Sequence, residues 1–338
     1  MIKLRAILHT IILVFIFLFI PGCISLEPIQ DTIQSEIEAA LDRGFDGIIV
    51  YVDQNGDTAN YAAGWKNREN RIIADPLSLF KIASISKLYI AAAAAKIIND
   101  DSLSLDKTLA DYLPDLVGRI ENSETITLRM MLQHRSGIPN FIDHPDFPWS
   151  DLPENPREAL ELVLDMPADF EPDKKYKYSN TNYLLIGEIL DTALGYSHHQ
   201  YIKREILNPL ELYNTYSLLS EVNIEDVMSG YFVGYDLDIK SNDYIIPGGS
   251  MLATAQDVGI FLRALIDGSL FNDDEQAIYS SIYKYEHTGL LLGYQSIARF
   301  HKDIDAVVIQ FINTSGGNSW SKSESVYRRI IRILEREN

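Results

Sequence analysis

What most constrains the fold is the placement of strand-like segments. They lie at the two ends of the chain, with a long helical stretch between them. Ile48-Ile49-Val50-Tyr51-Val52 reads as a buried strand, Gln54-Asn55-Gly56-Asp57 carries the Asn-Gly turn signal, and residues 58–65 return as the hairpin partner. At the other end, residues 281–287, 293–301 and 306–314 read as three more strands, and 321–336 as a closing helix. Residues 29–43 predict an amphipathic helix with Ile33, Ile37, Ala40 and Leu41 on one side and Gly44 as its stop. From about 84 to 247 the pattern is mostly helical. It is broken by one irregular stretch marked by Pro139, Pro145, Pro148, Pro153 and Pro156. Another helix is expected near 255–267, after Gly248-Gly249. Residues 24–83 and 248–338 are therefore expected to build one α/β domain, with 84–247 inserted as a helical domain. The cleft between the two is the default ligand site.

With 338 residues, 46% hydrophobic and 23% charged, the chain can bury a sizeable core, which excludes a disordered chain, a collagen and a multi-span membrane protein. Its formal charge of −19 argues against nucleic acid as a partner, because phosphates would repel it and no basic stripe compensates. The single cysteine excludes an intramolecular disulfide and a cysteine-based zinc site. That cysteine closes a leader: Lys3 and Arg5, an apolar run over 6–20 interrupted by His9 and Thr10, then Ile20-Pro21-Gly22-Cys23. The pattern reads as a secretory signal over residues 1–23, and the run is short for a membrane span, which needs ~20 residues. Its end resembles the bacterial lipobox, with Pro21 departing from the usual alanine or serine. That likeness implies lipidation at Cys23 and an exported lipoprotein held to a membrane by its lipid, facing the periplasm or the cell exterior. An uncleaved anchor and a soluble secreted protein are the alternatives, and all three place the body outside the cytoplasm.

The chemistry-bearing residues begin with Ser84-Ile85-Ser86-Lys87, which opens an alanine-rich helix running to Asn99-Asp100-Asp101. At a helix start, Ser84 and Lys87 point the same way. A lysine made less basic by burial can take the serine proton, and the helix N-terminus offers a backbone N–H to an oxyanion. Spacing alone is weak, since Ser-x-x-Lys also begins at Ser78, Ser104, Ser281 and Ser319. A cap at Ser84 and a solvated Lys87 remain the plain alternative. Tyr178-Ser179-Asn180 precedes a helix over 182–193 closed by Gly195, and a loop tyrosine can relay a proton. Core packing and capping are the alternative there as well. His287-Thr288-Gly289 is expected to end a strand.

The order of these elements, with gaps of 94 and 109 residues, resembles the serine β-lactamase and penicillin-binding protein superfamily. The likeness is nearer to class C β-lactamases, D,D-carboxypeptidases and related esterases. It extends to Phe80-Lys81-Ile82-Ala83, Met131 through Pro139, Tyr178 through Gly187, Gly248-Gly249-Ser250-Met251, Thr254 through Asp257, and Gly293-Tyr294, covering roughly residues 30–336. It implies a β-lactamase/transpeptidase-like α/β (α+β) fold: an antiparallel sheet flanked by helices, with an inserted all-helical domain. It further implies acylation of Ser84, proton transfer shared by Lys87 and Tyr178, and orientation of Lys87 and substrate by Asn180. His287, Thr288 and Gly289 would hold a substrate carboxylate or its polar substitute at a strand edge. The oxyanion would sit between the N–H groups of Ser84 and Leu290, and neither metal nor organic cofactor is required.

Two departures bear on substrate. His287 stands where lysine is the other family choice, and it is largely neutral at pH 7. Leu290 stands where a small residue is usual. Both lean from an efficient β-lactamase toward a D-alanyl-D-alanine carboxypeptidase-like peptidase or an esterase, acting on a small peptide or ester. A class C-like β-lactamase is the alternative, and a non-catalytic penicillin- or peptidoglycan-binding sensor the alternative of another class. Elsewhere, His198-His199 is expected to be an exposed helix start without an acidic partner at ligand spacing, and His134 to hold a turn. The run Asn272-Asp273-Asp274-Glu275 is expected to be a solvated loop. Gly-x-Ser-x-Gly and a phosphate-binding glycine loop are both absent.

Overall fold

The computed structural model describes residues 28–149 and 151–337; the leader and Cys23 lie outside them. Its frame is a six-stranded antiparallel sheet of β1 (Gly47–Gln54), β2 (Asp57–Asn67), β3 (Ile72–Ile73), β4 (His287–Leu291), β5 (Tyr294–His301) and β6 (Ala306–Ile312). The spatial order is β3-β2-β1-β6-β5-β4, so the two ends of the chain meet at the centre, where Ile49 pairs with Phe311. The β1–β2 connection is the Asn-Gly turn, with φ of 53° at Asn55 and 88° at Gly56, both in the left-handed region that such tight hairpins require.

Strand alternation sorts the side chains to two cores. Ile48, Val50 and Val52 face one side. Helices α1 (Ile33–Leu41) and α6 (Ser319–Glu337) cover them with Ile33, Ile37, Val326, Tyr327 and Ile330. Ile49, Tyr51, Val307, Ile309 and Phe311 face the larger core. It is completed by α2 (Ser86–Asn99), α3 (Asn180–Leu194), α4 (Ala255–Asp267) and α5 (Asp273–Ile282). Alanines 91 to 95 are fully buried, which lets α2 run through the middle of this core. A smaller sheet ties the segments together: Phe80–Lys81 and Thr215–Tyr216 both pair with Leu252–Ala253.

Three expectations are corrected. Residues 281–287 are not a strand; α5 ends at Ile282, and β4 begins, rather than ends, at His287. The acidic run at 272–275 is not a loop but the start of α5. The Asn272 side chain accepts from the Glu275 N–H and the Glu275 carboxylate from the Asn272 N–H, a reciprocal cap. Glu275 is then buried in an ion pair with Lys96 at 3.1 Å. His198 does start a helix, capped by Ser197, but it is 2% exposed and has an acidic partner, its Nδ1 lying 2.7 Å from Asp191 Oδ1. Among the described residues no cluster of three or more histidine, cysteine or acidic side chains could hold a metal ion.

Candidate active site

Ser84 is presented by a constrained turn between two rigid pieces. After the Phe80–Lys81 strand, the Ile82 N–H donates to Met251 O at 3.1 Å. Ala83 then adopts φ of 53°, and residues Ala83–Ile85 form one 3-10 turn that runs into α2. A left-handed alanine costs about 1–2 kcal/mol and persists only where its surroundings dictate it. They do so here. Ser86 Oγ donates to Ala83 O at 2.6 Å and accepts from the Met251 N–H at 3.2 Å, while Ser296 Oγ donates to Ile82 O at 2.9 Å. The edge strand β4 lies against this turn at Gly289. A Cβ there would sit 2.2 Å from Ser296 Oγ and 2.4 Å from Ile82 O, so only glycine lets strand and turn come this close.

Four of the residues singled out in the sequence converge on one point. Tyr178 OH donates to Ser84 Oγ at 2.9 Å. Lys87 Nζ lies 3.2 Å from Ser84 Oγ, 2.9 Å from Asn180 Oδ1 and 2.8 Å from Gly248 O. Asn180 opens α3 and is itself fixed, since Asn140 Oδ1 accepts from both its backbone N–H at 2.9 Å and its Nδ2 at 3.2 Å. Lys87 is 1% exposed, and burial alone pulls its ammonium down to about 7. Near neutral pH the amine therefore exchanges readily between donor and acceptor of a proton. Burial pushes the Tyr178 phenol up, so it stays protonated and donates.

On the other wall, Leu291 pairs with Tyr294 across the turn residues 292 and 293, and Leu290 with Gln295. In a two-residue hairpin this register turns the N–H groups of Leu290 and Thr288 away from β5, to the free edge beside the Ser84 turn. The Leu290 side chain is 57% exposed. His287 is buried; its Nδ1 bonds Thr288 O, and its Nε2 has no partner. His134, expected only to hold a turn, does so at φ of 55°, and its ring also lies 4.4 Å from that of Tyr178.

Asn140, Gly248 and Ser296 were not expected as parts of the site. Asn140 directly follows the Gly137-Ile138-Pro139 segment and Gly248 begins the Gly-Gly-Ser-Met segment, so both were near recognised wording. Gly248 contributes only its carbonyl, which residue type does not reveal.

A family model described as Beta-lactamase matches residues 30–281. The Bacillus subtilis (strain 168) protein that bears the name "Putative penicillin-binding protein PbpX" is 25% identical over 320 residues, 87% of this chain and 76% of that protein. Protein flp of Staphylococcus aureus (strain NCTC 8325) is 24% identical over 274 residues, 77% of this chain, which thus spans about half (52%) of flp. In fold, D-amino acid amidase from Ochrobactrum anthropi SV3, complexed with L-phenylalanine amide, is similar at a TM-score of 0.80, with 22% identity, 90% of this chain and 98% of the amidase covered. A class C beta lactamase from Rhodobacter sphaeroides is similar at 0.72, with 19% identity and coverage of 91% and 99%. With a family match over most of its length and a sheet, helices and clustered Ser84, Lys87 and Tyr178 to go with it, the chain belongs to the beta-lactamase family of serine hydrolases.

Proposed function

We propose that the chain hydrolyses a small amide, peptide or ester through an acyl-enzyme on Ser84. The observation that carries this reading is the approach of Lys87 Nζ and Tyr178 OH to the same Ser84 Oγ, with Lys87 dehydrated and held from behind by Asn180 and Gly248. In its neutral form Lys87 takes the Ser84 proton as Oγ attacks the carbonyl carbon. The oxyanion forms between the N–H groups of Ser84 and Leu290. The leaving nitrogen or oxygen receives a proton through Lys87 and Tyr178, which share one hydroxyl and so relay between themselves. Water activated by the same pair then releases the acyl group and restores Ser84.

The neutral, buried His287 supports a peptidase, amidase or esterase over a β-lactamase, because nothing in its ring offers a fixed charge to a penicillin carboxylate. The test is intact mass after mixing residues 24–338 with a fluorescent penicillin and, separately, a nitrophenyl ester, beside Ser84→Ala. Ester turnover with a slow or absent penicillin adduct is expected; fast penicillin turnover would make it a β-lactamase. Reaction surviving Ser84→Ala would overturn the nucleophile. Export and lipidation at Cys23 belong to the same proposal, and palmitate labelling lost in Cys23→Ser is the check.

A further inference from the structure

A pocket of about 280 Å³ adjoins the active site through Tyr178 and His287, while Ser84, Lys87 and Thr288 stay outside its walls. The chain has 48 acidic residues against 29 lysines and arginines, yet none of the eleven residues lining this pocket is acidic. The one lysine or arginine among them is Lys284, in the turn between α5 and β4. The other polar walls already have partners. Gln133 Nε2 donates to Ser281 O at 2.8 Å, Ser280 Oγ to Gln276 O at 2.7 Å and Ser281 Oγ to Ile278 O at 2.7 Å. Burial holds the His134 and His287 rings neutral, the first pulled down to about 3, and the charges of Lys87 and Lys284 act on both rings in the same direction.

The Lys284 ammonium is the exception. Among the described residues it has no hydrogen bond and no ion pair. Partial burial lowers its basicity, with Glu286 opposing and Arg299 adding to the effect, and neither of those two lines the pocket. Its backbone, by contrast, is fastened. Tyr279 OH donates to Lys284 O at 2.8 Å. On one side the Tyr283 ring stacks on His287 with centroids 6.0 Å apart, and on the other Tyr285 OH lies 2.6 Å from Ser280 Oγ. A held backbone with a free ammonium, beside a pocket without an acid, is a binding group that lacks its counter-ion.

We propose that Lys284 sets the leaving-group specificity, by binding a carboxylate that the leaving group carries about a ring's length from the scissile bond. The side follows from the relay: Tyr178 passes a proton toward the leaving atom, so the leaving group lies along Tyr178, the wall that site and pocket share. The length follows from the walls. With Ser84 and Thr288 outside them, a carboxylate in this pocket stands across the Tyr178 ring from the reacting carbon. A carboxylate attached next to the scissile atom does not reach it. The flat tyrosine walls suit an aromatic or similarly planar spacer between the two. This inference rests on the hydrolase reading and names the substrate class for it.

The test measures kcat/KM of the full chain for 4-acetoxybenzoate and 4-acetoxybenzamide, each divided by its own rate of hydrolysis by hydroxide. The two esters differ in the charge across the ring. The expected ratio is about fivefold to tenfold in favour of the carboxylate, and it should fall as salt is raised, because Lys284 is exposed. Lys284→Met should bring the ratio to about one, Lys284→Arg should keep it and Lys284→Glu should reverse it. Acetoxyacetate and its amide, with the charge next to the ester, should show no such ratio. A ratio near one in the unaltered chain, a ratio that survives Lys284→Met, or a preference confined to acetoxyacetate would overturn the proposal. Nitrophenyl acetate turnover beside Ser84→Ala separates the two failures. Ser84-dependent turnover without carboxylate preference leaves the hydrolase standing and removes Lys284 from specificity. Without Ser84-dependent turnover the hydrolase reading falls, and calorimetry of 4-hydroxybenzoate against 4-hydroxybenzamide judges the pocket alone: tighter benzoate binding that is lost in Lys284→Met supports it, and equal binding overturns it.

Discussion

Lys81 and Lys87 each follow a serine by three positions, and they are 3% and 1% exposed. Burial pulls both ammonium groups down, to about 8 and about 7. Only one of them has a reaction to serve. Ser78 to Lys81 runs into an extended strand, so the two side chains part; Ser78 Oγ is buried without a partner, and Lys81 Nζ goes to the Lys240 and Asn242 carbonyls at 2.5 Å each. Ser84 to Lys87 lies on a helical turn, so the pair meets. A carbonyl only accepts, and Asp238 and Asp243 favour the charged form, so Lys81 is a cation that pins the 238–243 segment. Lys87 has a hydroxyl among its partners, and a hydroxyl can give its proton back. Burial lowers a lysine's basicity; the identity of what it touches decides whether that matters for chemistry.

The comparison breaks most sharply at Lys87. Lys87→Ala should cut acylation by nitrophenyl acetate about 10²–10⁴-fold without a change in the circular dichroism spectrum. In the unaltered chain the rate should climb with pH and level off above about 7, since the neutral amine is the proton acceptor and the protonated form has no lone pair. A rate flat from pH 5 to 9 would remove Lys87 as the base. Next is Tyr178→Phe, which deletes the phenol on Ser84 Oγ and should cost about 10²-fold in kcat. Asn140→Ala frees Asn180 and should lower kcat about tenfold with KM little changed; an effect only on melting temperature would make Asn140 purely structural. The smallest change in rate is expected for Lys81→Met, within about threefold. Two half-buried carbonyls then lose their donor, and urea unfolding should show a loss of about 1–3 kcal/mol. A Lys81→Met protein as inactive as Lys87→Ala would erase the distinction.

What could be read from the sequence follows the range of the signal. The Asn55-Gly56 turn, the 255–267 helix and the Gly195 stop are written in neighbouring residues, and all stand where expected. The strand expected at 281–287 failed because Tyr283 and Tyr285 flank Lys284 in an alternating pattern that favours a strand, while the Asn272–Glu275 cap upstream commits the chain to a helix through Ile282. Ser84, Lys87, Tyr178 and Asn180 were legible as types and order, and the structure brings them together. Asn140 and the Gly248 carbonyl were not, because one acts on another side chain and the other through its backbone.

The order of the sheet has a consequence in time. Ser84 is laid down early in synthesis, whereas β4, which supplies the Leu290 N–H, and β6, which joins the two ends of the sheet, follow some 200 residues later. A ribosome that has made the Ser84–Lys87 helix and the Tyr178 loop has made three reactive side chains and no working site. The central pairing of β1 waits for residues 306–312, and long-range pairing of this kind is slow to form. Until then the growing polypeptide carries its chemistry unassembled, so a truncated product should be inert rather than a smaller hydrolase.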